Sequence, residues 1–382
     1  MSPRPRKSIL FVGPLPPPVH GQSLHFMETC RGVGNCDKYV VSVNATGKSV
    51  PAAMVLVLSA LARMVGHFLV RRIDIVYFTC ARSRKGSLFD FLVIGLARAF
   101  GSKVVNHLHG ADFRDYYATL PRAWKKIAAW FYDRIDLSIV LTEGMKDQFL
   151  PFFPRMRIEV VPNFYAREFE RDVVKGPSRA RELIYLSNIM ESKGIFTLLE
   201  AFRRIGETFD DVKLTIAGAC IGDEGMKEGE VRERFLRELE TLGRSLPGKI
   251  AYLGVIRGEE KVRRLMDSDI FVLPTFYRSE AFPLSIIEAM RSGNAIVTTR
   301  HNYLPEIVSG RNGVLVEPRS SGAVEDALNG LLANGGKTRE IQKHNIDEAK
   351  SRYSCERYLE RISAVLEVPP GRLSPMGDGK SD

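Results

Sequence analysis

The chain has 382 residues, of which 45% are hydrophobic and 26% are charged. This length corresponds to about two domains, and the composition is that of a folded globular protein, which excludes collagen, coiled coil and wholesale disorder. The five cysteines are scattered and form no Cys-x-x-Cys pair, so the sequence indicates neither a disulfide framework nor a thiolate zinc site and favours a reducing cytosol. The formal net charge of +10 predicts an anionic partner.

The net positive charge comes entirely from the first part of the chain. Residues 1–164 contain 22 Lys and Arg against 11 Asp and Glu, whereas the remaining residues contain 33 against 34. An asymmetry of this kind reports what each half faces, and nucleic acid, a phosphorylated ligand and an anionic membrane surface are the partners that fit.

Membrane and targeting signals are weak. The basic opening segment is followed only by the short apolar run 9–13, far below the hydrophobic region of a signal peptide, so the chain is expected to stay inside the cell. Residues 51–70 are long and apolar enough for a bilayer span, but Arg63 and His67 interrupt them. A transmembrane helix, a helix at the membrane interface and a buried domain helix all fit, and the buried helix is favoured.

Short β-branched runs alternate with segments of helical length along the whole chain. This pattern predicts an α/β protein of two doubly wound, Rossmann-like domains with parallel sheets. The strands of the first half are predicted at 8–13, 39–43, 73–79, 103–107, 137–141 and 158–161. Those of the second half are predicted at 182–186, 213–217, 250–253, 270–273, 295–299 and 313–316.

The predicted domain borders follow from this alternation. The first domain covers 1–164 and the second 165–345, with a charged linker containing Pro and Gly at 162–181. A C-terminal helix at 346–367 is expected to cross back to the first domain, and residues 368–382 are expected to form a disordered tail.

The first strand runs into a loop that ends in Gly21-Gln22-Ser23. Ligands of open α/β sheets bind beyond the carboxyl ends of the strands, so this loop is predicted to hold a phosphate, with an ordinary strand-to-helix loop as the alternative. Two Gly-Lys-Ser/Thr endings elsewhere are not P-loops, because Ser42 and Leu331 stand where the first glycine belongs.

Two histidines close the fourth predicted strand, in His107-Leu108-His109-Gly110. Because side chains alternate along a strand, His107 and His109 would face the same way, but the sequence offers no third metal ligand. We therefore expect a structural role for His107 and a ligand role for His109, beside the flexible Gly110.

The second half contributes a cation and two carboxylates. Lys193, in the segment from Ser187 and Asn188 to Gly194, precedes a predicted helix, where its charge would suit a diphosphate; a merely solvated lysine is the alternative. Glu280 and Glu288 flank the start of another helix, where the Phe282 and Leu284 amides can face an anion. As the alternative, Glu280 would complement the dipole of this helix and Glu288 would be a surface charge.

One further acidic pair, Asp267-Ser268-Asp269, superficially matches a metal-binding Asp-x-Asp motif. It lies between a predicted helix and a predicted strand, where turn residues are expected, so no metal site is predicted there.

Taken together, these features resemble the retaining glycosyltransferases of family 4, which have the two-Rossmann GT-B fold. The resemblance rests on the early glycine loop, the His-Gly after the fourth strand, the Lys-Gly opening the second half, and two glutamates with seven residues between them. It covers residues 7–366 and also includes the segments 161–163, 217–218, 252–254 and 305–308.

The resemblance implies a transferase that moves a hexose or N-acetylhexosamine from a UDP- or GDP-sugar, with no permanent cofactor and no metal. Lys193 would bind the diphosphate, Glu288 the ribose hydroxyls, and Glu280 with the Phe282 and Leu284 backbone the donor sugar and its phosphate. From the first domain, Gly21 would close on the phosphates and His109 would reach the donor sugar. His109, Glu280 and Lys193 would form the catalytic set, with Ser187 and Asn188 at donor-binding positions.

One departure from the family is the pair Ser187-Asn188, which stands where the family has Gly-Arg. The missing arginine removes one diphosphate contact, so Lys193 and backbone amides would carry more of the charge.

The resemblance also implies an acceptor-facing first domain. The acceptor would be a glycan or a lipid-diphosphate-linked sugar in cell-surface polysaccharide biosynthesis, and the protein would be cytoplasmic, resting on the inner membrane. Headgroup contacts are expected from basic side chains near Trp124 and Trp130, namely Arg82, Arg84, Lys85, Arg122, Lys125 and Lys126.

Two alternatives stay open at this point. A nucleotide-sugar epimerase would share the double-Rossmann plan, and a basic nucleic-acid-binding protein would share the charge. The sequence contains no zinc-finger or RNA-recognition motif, so a nucleic-acid partner is not expected.

Overall fold

The computed structural model describes residues 6–17, 21–44, 49–176 and 180–370. The chain divides into two compact units, Met1–Asn163 with Glu356–Asp382, and Phe164–Cys355. Gly47-Lys48, from one of the rejected P-loop endings, and residues 371–382 of the expected tail lie outside the described residues.

The first unit is built on a six-stranded parallel sheet with the strand order β2-β1-β3-β4-β5-β6. Its middle strands are buried on both faces, since helices cover both sides of a parallel sheet. The strands are β1 Ser8–Gly13, β2 Asp37–Ser42, β3 Ile75–Thr79, β4 Lys103–His107, β5 Leu137–Val140 and β6 Ile158–Val160.

Five helices connect these strands, and a sixth returns from the end of the chain. They are α1 Gly21–Gly32, α2 Val50–Val70, α3 Arg84–Ala99, α4 Phe113–Ala118, α5 Arg122–Tyr132 and, much later, α13 Cys355–Val365.

The returning helix α13 packs against α1. Tyr358 Oη lies 2.5 Å from Thr29 Oγ1, and the Leu359 side chain fills the space where Gly32 has no Cβ. Beyond the helix, Glu367 accepts from Lys7 and Lys103 at 2.8 and 2.9 Å. Helix α13 and the residues that follow it as far as Glu367 are therefore part of the first unit.

The second unit has its own six-stranded parallel sheet, in the order β12-β11-β10-β7-β8-β9. Its strands are β7 Glu182–Leu186, β8 Lys213–Ala217, β9 Ile250–Tyr252, β10 Ile270–Leu273, β11 Ala295–Thr299 and β12 Gly313–Val316. Its helices are α6 Ile195–Thr208, α7 Glu228–Ser245, α8 Gly258–Asp267, α9 Leu284–Arg291, α10 Leu304–Ile307, α11 Ser321–Ala333 and α12 Gly335–Arg352. The predicted architecture of two doubly wound parallel sheets is confirmed.

Three details differ from the sequence expectations. The helix expected at 346–367 is two helices, because the chain turns at Tyr353, whose ring is buried against Phe282 and whose carbonyl accepts from Tyr165 N at 3.0 Å. The segment expected to be a linker contains Tyr165 and Phe169, both buried in the second unit. Val33 forms an isolated β-bridge with Pro370, which the sequence assigned to the tail.

Helix α2 is also not the buried domain helix favoured from the sequence. The stretch Pro51–Val70 is long and apolar enough to cross a membrane, and only a small part of it is buried. Its inner side, with Ala60, Met64 and Phe68, faces the first unit, while most of its other side chains are exposed.

Candidate active site

The predicted second-unit residues gather where the strands of its sheet end. Parallel strands present their carboxyl ends at one edge, so the loops after β7, β10 and β11 meet there. The loop after β7 carries Lys193 and the loop after β10 carries Glu280. The sequence placed these residues 87 positions apart, and the sheet order brings their strands side by side.

Lys193 is held in place by Gly194, which follows it. Gly194 has a φ of +78°, and a Cβ at this position would overlap the Pro274 carbonyl oxygen. Phe276 N donates to Ser192 O at 2.7 Å, which binds the loop after β10 to the loop after β7. The glycine thus permits the contact that brings the two loops together.

Lys193 and Glu280 form an enclosed ion pair. Lys193 Nζ lies 2.5 Å from Glu280 Oε2, and the two side chains are only 13% and 8% exposed. Thr275 Oγ1 donates to the same carboxylate oxygen at 3.1 Å. Lys193 Nζ also lies 4.8 Å from the centre of the Tyr277 ring. The ammonium is therefore fixed at the edge of the sheet, where an anionic ligand can share it with the carboxylate.

The loop that carries Glu280 is held by two residues after β11 that the sequence analysis missed. His301 Nε2 donates to Tyr277 O at 2.9 Å, and Asn302 Nδ2 donates to the carbonyls of Arg278 and Glu280 at 3.0 and 2.9 Å. Asn302 has a φ of +45°, a conformation that asparagine tolerates better than most residues. The dipeptide lies in a loop without periodicity, so its only sequence signal was its position after a strand.

Asp223 is a second residue that the sequence analysis missed. It accepts from Ser192 N at 2.8 Å and from the amides of Gly225 and Met226 at 3.0 and 3.1 Å. Burial alone would raise the pKa of this carboxyl, but these donors and the Ser192 hydroxyl lower it below its usual value. The charged form of Asp223 therefore helps to fix the loop that ends in Lys193.

Glu288 lies in the second turn of α9, buried to 3% exposure, and its partner is Lys261 from α8. Lys261 Nζ lies 2.6 Å from Glu288 Oε2 and 5.6 Å from the centre of the Phe169 ring. Glu168 is close by: burial raises the pKa of this carboxyl, Lys261 opposes the rise and Glu288 adds to it. Lys261 was not recognised from the sequence, because a lysine in an amphipathic helix normally faces solvent.

The donor-site positions without charge are placed as follows. Asn188 is exposed, and its carbonyl accepts from Tyr185 Oη at 2.9 Å. Ser187 lies against Gly218, where a Cβ would overlap the Ser187 carbonyl oxygen. Phe282 is buried, with its ring 5.6 Å from that of Tyr353, and Leu284 begins α9 after the cap Pro283.

The other two predicted residues, Gly21 and His109, belong to the first unit. Gly21 is exposed and begins α1, and His109 follows β4. The His109 ring lies 4.1 Å from that of His107 and 6.1 Å from that of His25. Gly110 approaches the Arg82 guanidinium, which pairs with Asp112.

His107 is fully buried and lies 2.6 Å from Tyr77 Oη through its Nδ1. Burial lowers the pKa of this imidazole well below its usual value, and the neighbouring histidines add to the effect. His107 is therefore neutral, and its Nδ1 shares a hydrogen bond with the Tyr77 hydroxyl. In the described residues, no group of three or more His, Cys, Asp or Glu side chains is arranged to hold a metal ion.

Two α/β units, each built on a six-stranded parallel sheet, are the architecture of the GT-B class. Residues 166–350 match the family described as Glycosyl transferases group 1, and residues 22–163 match the Glycosyl transferase 4-like domain. The chain belongs to this glycosyltransferase family, as its motifs suggested. The predicted enzyme class, a glycosyltransferase, is confirmed, and neither the epimerase nor the nucleic-acid-binding alternative is retained.

Relatives in the family differ in specificity. The chain is 25% identical over 285 residues to lipopolysaccharide 1,2-N-acetylglucosaminetransferase of Salmonella typhimurium, a match that covers 70% of this chain and 67% of the relative. It is 29% identical over 194 residues to phosphatidyl-myo-inositol mannosyltransferase of Mycobacterium leprae, covering 50% of this chain and 48% of the relative. The chain thus spans about half the length of the second relative.

Among solved structures, Anabaena Alr3699/HepE in complex with UDP superposes with a TM-score of 0.70 at 16% identity, over 94% of this chain and 99% of that one. At this identity the likeness establishes the fold.

Proposed function

We propose that this glycosyltransferase moves a hexose or N-acetylhexosamine from a nucleotide-sugar to a glycan or lipid-linked oligosaccharide, with retention of anomeric configuration. The observation that carries the proposal is the enclosed Lys193–Glu280 pair, at the end of the sheet where the Glu288 carboxylate also lies. A cation beside one hydrogen-bond-accepting carboxylate, with a second carboxylate in the helix that follows the same loop, suits a ligand that combines a diphosphate with hydroxyl-rich sugars.

The donor roles follow the family pattern. Lys193 would bind the diphosphate, and Glu280 with the backbone of Phe282 and Leu284 would hold the donor sugar and its phosphate. Glu288 would accept hydrogen bonds from the ribose hydroxyls, in competition with Lys261. Gly21 and His109 would be supplied by the first unit.

The chemistry would be electrostatic. As the bond between the sugar and the diphosphate breaks, negative charge grows on the leaving phosphate, and a fixed ammonium stabilises that charge more in the transition state than in the ground state. The acceptor hydroxyl would attack on the face from which the diphosphate departs: its oxygen bonds to the anomeric carbon as the bond from that carbon to the phosphate oxygen breaks, and its proton passes to the leaving phosphate. We propose that the reaction needs no metal, since Lys193 and the amides at the start of α9 would supply the positive potential.

The donor nucleotide in this proposal is UDP or GDP, and UDP is supported by the Anabaena structure, which was solved with UDP. A lipid-linked acceptor in cell-surface polysaccharide biosynthesis is supported by the Salmonella relative, which is named a lipopolysaccharide 1,2-N-acetylglucosaminetransferase. We place the enzyme in the cytoplasm, peripheral to the inner membrane, where its five free cysteines would stay reduced.

A thermal-shift screen of UDP, GDP, ADP and their common sugar conjugates tests the donor site. We expect one nucleotide to raise the melting temperature of the wild type and to lose that effect in Glu288→Ala, since a ligand at a hundred times its Kd stabilises by about 2.7 kcal/mol. Glu325→Ala is the matched control, because Glu325 also pairs with a cation, Arg204, in the second unit. An equal shift in wild type and Glu288→Ala would place the nucleotide elsewhere.

A further inference from the structure

Helix α2 has an apolar side that the first unit does not cover. Of its large side chains, Met54, Val55, Leu58, Leu69 and Val70 are exposed. Arg63 and His67 are the only ionisable residues in the sequence of this helix. Five large apolar side chains exposed along a single helix are typical of an interaction surface, because soluble proteins rarely expose contiguous apolar patches to water.

The apolar stripe continues over two neighbouring helices. Helices α2, α3 and α5 each connect strands that advance in the same direction across the sheet, so right-handed crossovers place them on one face. The rings of Phe68 and Phe100 stack at 4.8 Å where α2 meets the end of α3, and those of Phe91 and Phe131 stack at 4.8 Å between α3 and α5. We call the outer surface of these three helices the three-helix face. Its exposed apolar side chains on α3 and α5 are Leu88, Leu92, Ile127 and Trp130.

The three-helix face is also basic. The sequences of α2, α3 and α5 contain a single acid, Asp90, and that side chain is fully buried. The exposed cations on these helices and directly after α2 are Arg63, Arg71, Arg72, Arg84, Lys85, Arg122 and Lys126. Arg82, expected from the sequence to join them, instead pairs with Asp112.

The cations and the exposed apolar side chains together indicate which partner binds the three-helix face. A second copy of the chain presenting the same face would bring cations against cations, which like-charge repulsion disfavours. An anionic lipid surface offers phosphate groups for the cations and acyl chains for the apolar side chains. Trp130 has the amphipathic character of interfacial aromatic residues, with the Arg134 guanidinium 3.7 Å above its ring.

The orientation of α2 follows from its buried side. An apolar stretch of this length spans about 30 Å, enough to cross a bilayer. However, Ala60, Met64 and Phe68 are buried in the first unit, and α2 contacts β2 and α3. The helix cannot be surrounded by lipid while these contacts hold.

We propose that the three-helix face docks in the plane of an anionic lipid bilayer, with α2 lying in the interface rather than crossing it. Such docking would bring the first unit to a lipid-linked acceptor, and in that respect it rests on the proposed function. Vesicle binding itself needs neither donor nor acceptor.

Vesicle flotation tests the docking directly, with vesicles of phosphatidylcholine alone and of phosphatidylcholine mixed with phosphatidylglycerol. We expect the wild type to float with the mixed vesicles and Val55→Asp/Leu58→Asp to bind at least about tenfold more weakly. Leu236→Asp, on an exposed leucine of α7 in the second unit, is the control and is expected to bind as the wild type does. Absence of flotation with anionic vesicles, or equal binding by the α2 variant, would overturn the proposal.

The charge contribution is tested with Arg122→Gln/Lys126→Gln. Each cation near an anionic surface contributes about 1 kcal/mol, or about a fivefold change in affinity, so the pair should weaken binding by roughly 25-fold. Arg237→Gln/Arg244→Gln in α7 is the matched control, since both of these side chains are also exposed cations. Equal weakening by both double variants would mean that only the net charge matters, and would overturn an assignment to this face.

Tryptophan fluorescence reports which surface touches the lipid. The chain has two tryptophans, Trp124 and Trp130, and both lie in α5. Docking predicts a blue shift and quenching by brominated lipid, both reduced in Trp130→Phe. Binding without any change in emission would place the lipid contact elsewhere.

Two further measurements separate the remaining outcomes. Concentration-dependent dimerisation in light scattering, abolished by Val55→Asp/Leu58→Asp, would make the three-helix face a self-association surface and overturn the proposal. Nucleotide stabilisation is expected to be unchanged in the docking variants. Vesicle binding without any nucleotide effect would instead refute the proposed function and leave the docking intact.

Discussion

Glu288 of α9 and Lys261 of α8 form an ion pair, with 2.6 Å between the carboxylate oxygen Oε2 and the ammonium nitrogen Nζ. Because Glu288 is almost completely buried, removal of the ammonium would leave an uncompensated charge. We expect Lys261→Met to lower the free energy of unfolding by about 3 kcal/mol, and Lys261→Met/Glu288→Leu to recover most of that loss. Urea unfolding of the two variants measures both effects. If the unfolding free energy of the double variant were no higher than that of Lys261→Met, the two side chains would not be coupled as described.

Gly194 is predicted to tolerate no side chain. Its positive φ and the Pro274 carbonyl oxygen at the position of a Cβ mean that Gly194→Ala must move the loop that carries Lys193. We expect a loss of about 1 to 3 kcal/mol in unfolding free energy. Gly243→Ala is the matched control: this glycine lies in α7 with nothing near its Cβ position, so alanine should stabilise by about 0.5–1 kcal/mol. Equal Tm values for the two variants would contradict the close approach.

Asn188 allows a gain-of-function test. The resemblance implies an arginine at this position, and the exposed Asn188 side chain leaves room for one. Under the proposed function, Asn188→Arg would add a charge-assisted hydrogen bond to the diphosphate and tighten nucleotide binding by roughly tenfold. Isothermal titration with the nucleotide selected by the thermal-shift screen measures the change. Thr241→Arg, on an exposed threonine of α7, controls for net charge and should leave affinity unchanged. If both variants gained equally, the diphosphate would not lie beside position 188.

Asp90 is predicted to make stability depend on pH. Burial raises the pKa of this carboxyl from 3.8 to about 7, although Ala81 N and Tyr132 Oη donate to it. The folded state therefore binds the proton more tightly than the unfolded state, so stability is greatest below the unfolded pKa and falls as pH rises towards 7. We expect a loss of a few kcal/mol over this range that Asp90→Asn removes.

Urea unfolding between pH 4 and pH 8, run in parallel on wild type and Asp90→Asn, isolates this carboxyl from all other groups. Asp133→Asn, at an exposed aspartate after α5, should keep the wild-type profile. A difference between wild type and Asp90→Asn that stays constant with pH would mean that Asp90 remains charged when folded.

The strands were predictable because each buried parallel strand is a short run of apolar residues. In the second unit, β7, β8, β10, β11 and β12 have the predicted bounds. The helix ends were harder to predict: α12 and α13 meet at Tyr353, where burial of one ring against Phe282 interrupts a pattern that reads as one helix. Local periodicity carries no information about such a contact.

For the candidate site, the sequence indicated Lys193, Glu280 and Glu288, because charged residues beside glycine or proline at a strand-to-helix transition stand out. Their assignment to donor binding stays a prediction. No such signal came from Lys261, Asp223 and the pair His301-Asn302, since each lies in ordinary helix or loop sequence and has its partner on a different helix or loop.

The architecture and the family were predictable from the sequence, because alternating apolar runs specify parallel sheets and the spaced motifs fall in the family's order. The tertiary structure decided which charges are paired. It joined Lys193 to Glu280 and Lys261 to Glu288 across large separations in the chain, and it left one side of α2 exposed. Hydrophobic periodicity is a local property, whereas burial and charge pairing depend on which segments the sheet order brings together.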